Sequence, residues 1–329
     1  MPVLLIDQKS LSRLDAELND LRQSHPFEMI TVNAAGQLER DGAVIGENDA
    51  DFDFFWFNID IYLGGHLPRL IPMLLNSSSL KWIQSFNAGM DNPIYKQFHD
   101  RGIRIAKSSA QAIAIAEYVL CSVMAQHQEV IRRHQLQRDK NWQSLPFREL
   151  YREKWLIIGF GNIGKEIARR ASAFECEITA VRRKVEYSSH VDRCISLDAM
   201  PDYLAEADVV VLACGLNSKT RNLADERFFQ TMKPGSTLVN IARGALVNET
   251  ALLDGLKQKK PEFAVLDVFS PEPLPPESPL WDCPNVSITA HASNFGNRTF
   301  RRGDELFLNN FRRFLAGKEL INEVKDDDF

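Results

Sequence analysis

No stretch of this chain approaches the ~18 consecutive apolar residues of a membrane-spanning helix. The N-terminus, Met1-Pro-Val-Leu-Leu-Ile-Asp7, lacks the basic segment that opens a secretory signal, and its apolar run is too short for one. Cysteine is sparse: five residues, at 121, 176, 194, 214 and 283, odd in number and without CxxC spacing. That excludes a disulfide framework and a zinc-ribbon type of site, so no metal is expected and reduced thiols in a cytoplasmic protein are. Basic charge is not in excess either. The net charge of −5 argues against general binding to nucleic acid or to an anionic membrane. Internal repeats and low-complexity linkers are missing, apart from the short acidic tail Asp326-Asp-Asp328.

What remains is a globular composition, 44% apolar and 25% charged over 329 residues, enough for two domains that each bury a core. Val3–Ile6, Phe52–Ile61, Trp82–Phe86 and Ile103–Ala106 read as strands, with an amphipathic helix over Leu11–Arg22. From Ala110 to about Gln137 the pattern is one long helix, apolar nearly all round in its first half, so it should be buried between domains. A second series of β-branched strands follows, at 178–181, 209–212, 237–240, 264–266 and 286–289. After Asn297 the chain is helical again, with Phe300, Leu306, Phe307, Phe311 and Phe314 forming one stripe. Strands alternating with helices imply parallel sheets covered on both faces. The expected fold is α/β, with two doubly wound parallel-sheet domains. Residues 1–110 and 297–329 form a discontinuous domain, and 111–296 a nucleotide-binding one.

The segment Lys154-Trp-Leu-Ile-Ile-Gly159-Phe-Gly161-Asn-Ile-Gly164-Lys165 is the most specific in the chain. A short apolar run ends in glycine and is followed by a helix with Ile167, Ala168 and Ala171 at helical spacing. Strand, glycine turn and helix stand in the order of a dinucleotide pyrophosphate site. Gly159 permits the tight turn, Gly161 lets backbone approach a diphosphate, and Gly164 lets the helix pack close to the strand. The N–H groups opening that helix, with its dipole, would hold the phosphates. Phe160, Asn162 and Ile163 complete the loop.

In NAD sites an acid about 20 residues beyond the glycines takes the ribose hydroxyls. None stands at the end of Glu177–Val181; Arg182-Arg183-Lys184 follows instead. A carboxylate would repel a 2′-phosphate, and arginine pairs with it bidentately. Arg182 and Arg183 therefore point to NADPH, with NAD as the second option.

Three downstream segments place chemistry at predicted strand ends, where open α/β sheets bind ligands. Leu238–Gly244 brings Arg243, Ala264–Pro273 brings Asp267 and Glu272, and Val286–His291 brings His291. A hydride-accepting carbonyl needs a proton donor, and a neighbouring carboxylate can keep that donor charged near pH 7. A 2-oxo acid also needs a fixed cation. Singly, each residue is better explained by a structural histidine, a solvated loop acid or a surface ion pair. Their joint arrival downstream of a nucleotide loop favours a site.

The same residues carry a resemblance. Lys233-Pro-Gly235, Asn240-Ile-Ala-Arg243-Gly244, Leu266-Asp-Val-Phe269, Glu272-Pro-Leu274 and Ser278-Pro-Leu-Trp281 resemble the D-isomer-specific 2-hydroxyacid dehydrogenases. Ala88-Gly-Met-Asp91, Arg101-Gly-Ile103 and Ala116-Glu117 extend the likeness more weakly. It implies a Rossmann nucleotide-binding domain and a flavodoxin-like substrate domain. It further implies that Arg243 binds the substrate carboxylate and polarises the carbonyl, that His291 is the acid/base and that Glu272 is its partner. Backbone N–H groups of Ala88 and Gly89 would meet the carboxylate. Cys214, Ile241, Ala242 and Asp267 would join the cofactor-binding residues, Asp267 holding the nicotinamide amide. Hydride from NADPH and a proton from His291 would give a D-2-hydroxy acid.

Three positions depart from the family pattern: Gly215 where proline is usual, Ala292-Ser293-Asn294 in place of a glycine-rich run, and Glu175 in place of a glycine. The arginines after Val181 and Trp142 most resemble NADPH-linked glyoxylate/hydroxypyruvate reductases, which would make the partner a small 2-oxo acid. Trp142 either reaches a partner subunit or packs under the nucleotide domain. A homodimer is implied through the helix beginning near Ala112. Two alternatives stay open. The substrate could be a bulkier 2-oxo acid served by Phe54, Phe55, Trp56 and Phe57, or the protein could be a nucleotide-sensing corepressor-like module.

Overall fold

Two seven-stranded sheets organise the chain. In the computed structural model, which describes residues 1–329 except the side chain of Asp327, they fall in two separate units. One unit is Met1–Ala110 with Asn297–Phe329; the other is Gln111–Gly296. No helix among the described residues is long and apolar enough to cross a membrane.

The first unit contains β1 (Val3–Asp7), β2 (Glu28–Val32), β3 (Leu38–Arg40), β4 (Ala43–Ile45), β5 (Phe54–Phe57), β6 (Trp82–Ser85) and β7 (Arg104–Ala106). Their order is β4-β3-β2-β1-β5-β6-β7, and the five strands β2-β1-β5-β6-β7 run parallel. That is the flavodoxin-like order, as the resemblance implied. Sequence periodicity missed β3 and β4, an antiparallel hairpin on the edge. Strands of three residues are too short to show alternation.

Alternate residues of each strand feed opposite cores because side chains alternate across a sheet. Leu4, Ile6, Phe54 and Trp56 pack with Leu14 and Leu18 of the helix Gln8–Ser24 and with Phe307, Leu308 and Phe311 of the helix Thr299–Leu315. Leu5, Phe55 and Phe57 face the other core, with Leu70, Tyr95 and Phe98. The C-terminal helix thus joins the first unit through an aromatic stack in which the Phe307 ring lies 5.2 Å from Trp56 and 5.9 Å from Trp82. All four residues of the run Phe54–Phe57 are buried core, which removes them as a wall for a bulky substrate.

The second unit contains β8 (Lys154–Ile158), β9 (Glu177–Val181), β10 (Arg193–Ile195), β11 (Val209–Leu212), β12 (Thr237–Asn240), β13 (Phe263–Leu266) and β14 (Val286–Ile288). All neighbours are parallel in the order β10-β9-β8-β11-β12-β13-β14. The chain adds strands outward from β8 in one direction, then returns to β11 and proceeds in the other. The crevice between β8 and β11 is therefore the topological switch point.

The long helix expected from Ala110 to Gln137 is two helices, Ala112–His127 and Val130–Arg138. They break at Glu129, which takes a left-handed conformation (φ 49°). The break falls where the apolar pattern stops: the first helix buries seven residues and the second none. Ile115, Ala116, Val119 and Val123 pack against Ile167, Ala168 and Ala171 of the helix Asn162–Ala171, within the second unit. At the break the buried His127 ring meets Glu153 at 3.0 Å, and Arg133 donates to the carbonyl of Gln128.

Candidate active site

All seven strands of the second unit release their chains at one edge, and the sheet ladder continues into the loops beyond. Gly159 donates to Val181, Ala213 to Ile158, Asp267 to Asn240 and Thr289 to Leu266, at 2.8–3.0 Å. The predicted site residues of this unit therefore share the carboxyl edge. Each leaves it in its own way.

At the switch point the glycines divide their labour. Gly159 has φ +101°, and a Cβ there would lie 2.4 Å from the backbone nitrogen of Cys214. At Gly164 a Cβ would lie 2.3 Å from the carbonyl oxygen of Gly159, so helix and strand can be this close only without one. Gly161 is different: a Cβ there would meet nothing within 4 Å. Its position at the N-cap of the helix Asn162–Ala171, which has no side-chain cap, leaves open space in front of the helix's positive end. A diphosphate fits that space, and the residues present suit a dinucleotide. Phe160 is buried in the core, so only its backbone can serve a ligand, while Asn162 and Ile163 are partly exposed.

Beyond β9, Arg182 lies 3.6 Å from Glu186 and Arg183 is exposed. The arginines stand one strand away from the glycine loop. An ion pair of this length with one partner in solvent is weak. Cys214 follows β11. Burial pushes its thiol up to about 11. The adjoining loop is closed by Thr220, which donates to the carbonyl of Gly215, and by Asn217, whose side chain accepts from Lys219 and Thr220. Gly215 has open space where a Cβ would stand.

After β12, Ile241 and Ala242 are buried, and Arg243 is held by its own turn. The buried Asn240 donates to the carbonyl of Arg243 (3.0 Å) and accepts from the N–H of Ala242 (3.2 Å). Arg243 Nη1 also donates to the carbonyl of Ala242 at 2.7 Å. The next residue must be glycine, because a Cβ on Gly244 would sit 1.9 Å from the carbonyl carbon of Phe269. The Arg243 turn and the loop after β13 are therefore in backbone contact. Phe269 N–H in turn donates to Glu272 Oε1 (2.9 Å), and Glu272 Oε2 lies 2.8 Å from His291 Nδ1. One chain of contacts links Gly244, Phe269, Glu272 and His291. With Nδ1–H donating to the carboxylate, Nε2 is the ring atom available to a substrate. The His291 side chain is 45% exposed, so that atom can be reached.

The side chain of Asp267 is fully buried and bonded to the turn that carries His291. Oδ1 accepts from Thr289 Oγ1 (2.6 Å), Ala292 N (2.8 Å) and Ser293 N (3.1 Å), and Oδ2 accepts from the Ser293 hydroxyl. The backbone carbonyl of Asp267 accepts from His291 N at 2.7 Å. These bonds hold His291 in a left-handed conformation (φ +51°) that a non-glycine residue adopts at a cost of roughly 1–2 kcal/mol. They also account for Ser293 in place of the usual glycine. Glu175 has a similar reason to be noticed: it takes φ +60° where the family carries glycine.

In the first unit, Ala88 and Gly89 lie in the turn after β6 and are half-buried. Asn87 anchors that turn by donating to Tyr95 Oη (2.7 Å), which also meets Ser85 Oγ at 2.7 Å. Trp142 is fully exposed, so it does not pack under the nucleotide unit. Sequence reading missed Asn87, Tyr95, Asn240, Thr289 and Ser293. Only the strand-end positions of Asn240 and Thr289 could have flagged any of them.

Residues 120–293 match the family model described as D-isomer specific 2-hydroxyacid dehydrogenase, NAD binding domain. The chain belongs to the D-isomer specific 2-hydroxyacid dehydrogenase family. It is similar to 4-methyl-2-oxopentanoate reductase A of Aspergillus oryzae, 32% identical over 75% of this chain and 76% of that one. It is also similar to glyoxylate reductase/hydroxypyruvate reductase of Homo sapiens, 28% identical over 75% of this chain and 78% of the other. Among solved structures, a D-isomer specific 2-hydroxyacid dehydrogenase family protein of Aeromonas salmonicida superposes with a TM-score of 0.76 at 27% identity, covering 98% of this chain and 99% of that one. This dehydrogenase is thus an NAD(P)-dependent oxidoreductase of a family that acts on small 2-oxo and 2-hydroxy acids.

Proposed function

We propose that this dehydrogenase reduces a small 2-oxo acid of the glyoxylate or hydroxypyruvate class to the D-2-hydroxy acid, using NADPH. The observation that carries the reading is the 2.8 Å Glu272–His291 pair on the same sheet edge as the glycine loop. The nicotinamide, when bound, supplies the hydride. His291 holds one proton on Nδ1 against Glu272 and gives another from Nε2 to the carbonyl oxygen. Arg243, its backbone fixed by Asn240, offers the cation for the substrate carboxylate and polarises the carbonyl. To Ala88 and Gly89, in the turn after β6, we assign substrate-binding N–H groups of the first unit. Arg182 and Arg183 are the residues for a 2′-phosphate, with NADH as the weaker cofactor.

The human relative's name supports the smaller substrates. That of the Aspergillus oryzae relative supports a second reading, a branched 2-oxo acid such as 4-methyl-2-oxopentanoate. We also infer a homodimer, supported by exposed apolar side chains of the second unit: Ile131 (86% exposed), Trp142 and Phe147. Five free cysteines accord with a cytoplasmic setting.

The test is a panel of 2-oxo acids, small, branched and aromatic, assayed with NADPH and with NADH and ranked by kcat/KM. Glyoxylate or hydroxypyruvate with NADPH should rank first. A branched acid in first place selects the second reading, and no nucleotide oxidation with any acid removes both.

A further inference from the structure

Asp267 does not act alone on the His291 turn. Thr289 Oγ1, which donates to Asp267 Oδ1 at 2.6 Å, also lies 2.8 Å from the hydroxyl of Tyr118. Tyr118 belongs to the helix Ala112–His127, which packs on the nucleotide-loop helix. Donor and acceptor roles can be assigned along this row. A carboxylate oxygen accepting from Ala292 and Ser293 N–H is an acceptor, so Thr289 must donate to it. Thr289 has one hydroxyl proton, so Tyr118 must donate to Thr289. Burial raises the Tyr118 phenol above its usual range, which keeps that proton in place, and Ser122 also bonds the phenol oxygen.

We propose that Tyr118 and Thr289 are positioning residues: a directed hydrogen-bond chain Tyr118→Thr289→Asp267 aims the buried carboxylate that holds His291 in its left-handed turn. The chain couples the helix Ala112–His127 to the acid/base histidine without touching substrate. A carboxylate free to rotate about its last bond would release one of its two turn amides. Thr289, itself held by Tyr118, bonds Oδ1, the oxygen that accepts from both turn amides, and so opposes that rotation. His291 would then leave φ +51° for more relaxed backbone, and Nδ1 would lose Glu272. The inference rests on the acid/base assignment above for its kinetic consequence, but not for its structural one.

The test uses Tyr118→Phe, Thr289→Val, their double variant, and Thr289→Ser, which keeps the hydroxyl. Removing one buried neutral hydrogen bond should change the occupancy of the aligned turn roughly three- to tenfold. Tyr118→Phe and Thr289→Val should each lower kcat by about that factor, with NADPH affinity by fluorescence titration within about twofold of wild type. Thr289→Ser should retain wild-type kcat, and the double variant should be no worse than the poorer single one, because both cut one chain. Without substrate, amide exchange of residues 291–293 should rise by about the same factor while 159–164 stays unchanged. Unchanged exchange at 291–293 in Tyr118→Phe overturns the proposal, as does a rise spread evenly over the unit. Faster exchange at the turn combined with wild-type turnover in His291→Ala would instead remove the acid/base assignment and leave the chain standing. If Thr289→Val does not fold, Tyr118→Phe, which keeps the ring, decides alone.

Discussion

Gly161 and Gly164 lie three residues apart in one loop, and alanine at each should fail in opposite ways. A Cβ on Gly164 would come 2.3 Å from the Gly159 carbonyl oxygen, about an ångström inside a normal contact. Backbone lies on both sides, so strand and helix must part. Overpacking of this kind costs about 1–3 kcal/mol. For a unit of this size that lowers Tm by about 2–4 °C per kcal/mol. Gly161 has φ −84° and ψ −157°, extended backbone open to any residue, and nothing within 4 Å of a Cβ. Gly161→Ala should therefore leave stability unchanged or raise it by up to about 1 kcal/mol through the unfolded chain. The new methyl stands instead where a diphosphate must approach. Losing two charge-assisted hydrogen bonds at about 1.5 kcal/mol each corresponds to roughly a hundredfold in affinity. Thermal unfolding without nucleotide and fluorescence titration with NADPH and NADH measure the two effects separately. Wild-type binding by Gly161→Ala would refute the assignment of the pyrophosphate to this loop. Wild-type Tm in Gly164→Ala would refute the packing argument.

Replacing Arg182 and Arg183 with alanine should weaken NADPH about 10- to 100-fold and leave NADH within twofold, as loss of charge-assisted phosphate contacts predicts; equal losses in titration would remove the 2′-phosphate role. Burial pushes the Cys176 thiol up to about 12 and Cys214 to about 11, whereas Cys121 is exposed. Iodoacetamide at pH 8, followed by peptide mass spectrometry, should mark Cys121 first and Cys176 and Cys214 about a hundredfold more slowly; rapid labelling of Cys214 would contradict this. Arg104 donates to both oxygens of Glu323 and holds that carboxyl below its usual range. Its contribution is complete above the unfolded carboxyl range and fades as pH falls through the lower folded value. Glu323→Gln should thus lose about 1 kcal/mol in denaturant unfolding at neutral pH and approach wild type in acid; a pH-independent difference would contradict it. Glu175→Gly should gain up to about 1 kcal/mol by relieving φ +60°, read as a rise in Tm, and a fall in Tm would show that Glu175 is not strained there.

Features set by neighbours along the chain were legible in the sequence. The glycine loop was one, because strand, turn and helix follow within about fifteen residues and each glycine answers a local demand. Arg243, Glu272 and His291 were others, since each closely follows an apolar run that could only be a buried strand. Pairings across elements were not legible. Nothing near Asp267 in sequence says that its oxygens meet residues 289–293, or that Thr289 reaches Tyr118, 171 positions away. The burial of Phe54 and Trp56 depends on the return of the last helix, and the break at Glu129 depends on a left-handed residue that the helical pattern does not announce. The β3–β4 hairpin is too short for its period to register.

The central claim is that His291 moves the proton while the glycine loop holds the nucleotide. It is tested most directly by His291→Ala, in steady-state reduction of glyoxylate and hydroxypyruvate and in NADPH titration of the same preparation. Turnover should fall by roughly 10²–10⁴, as loss of a general acid predicts, with NADPH affinity within about twofold of wild type. Turnover at the wild-type rate would contradict the account.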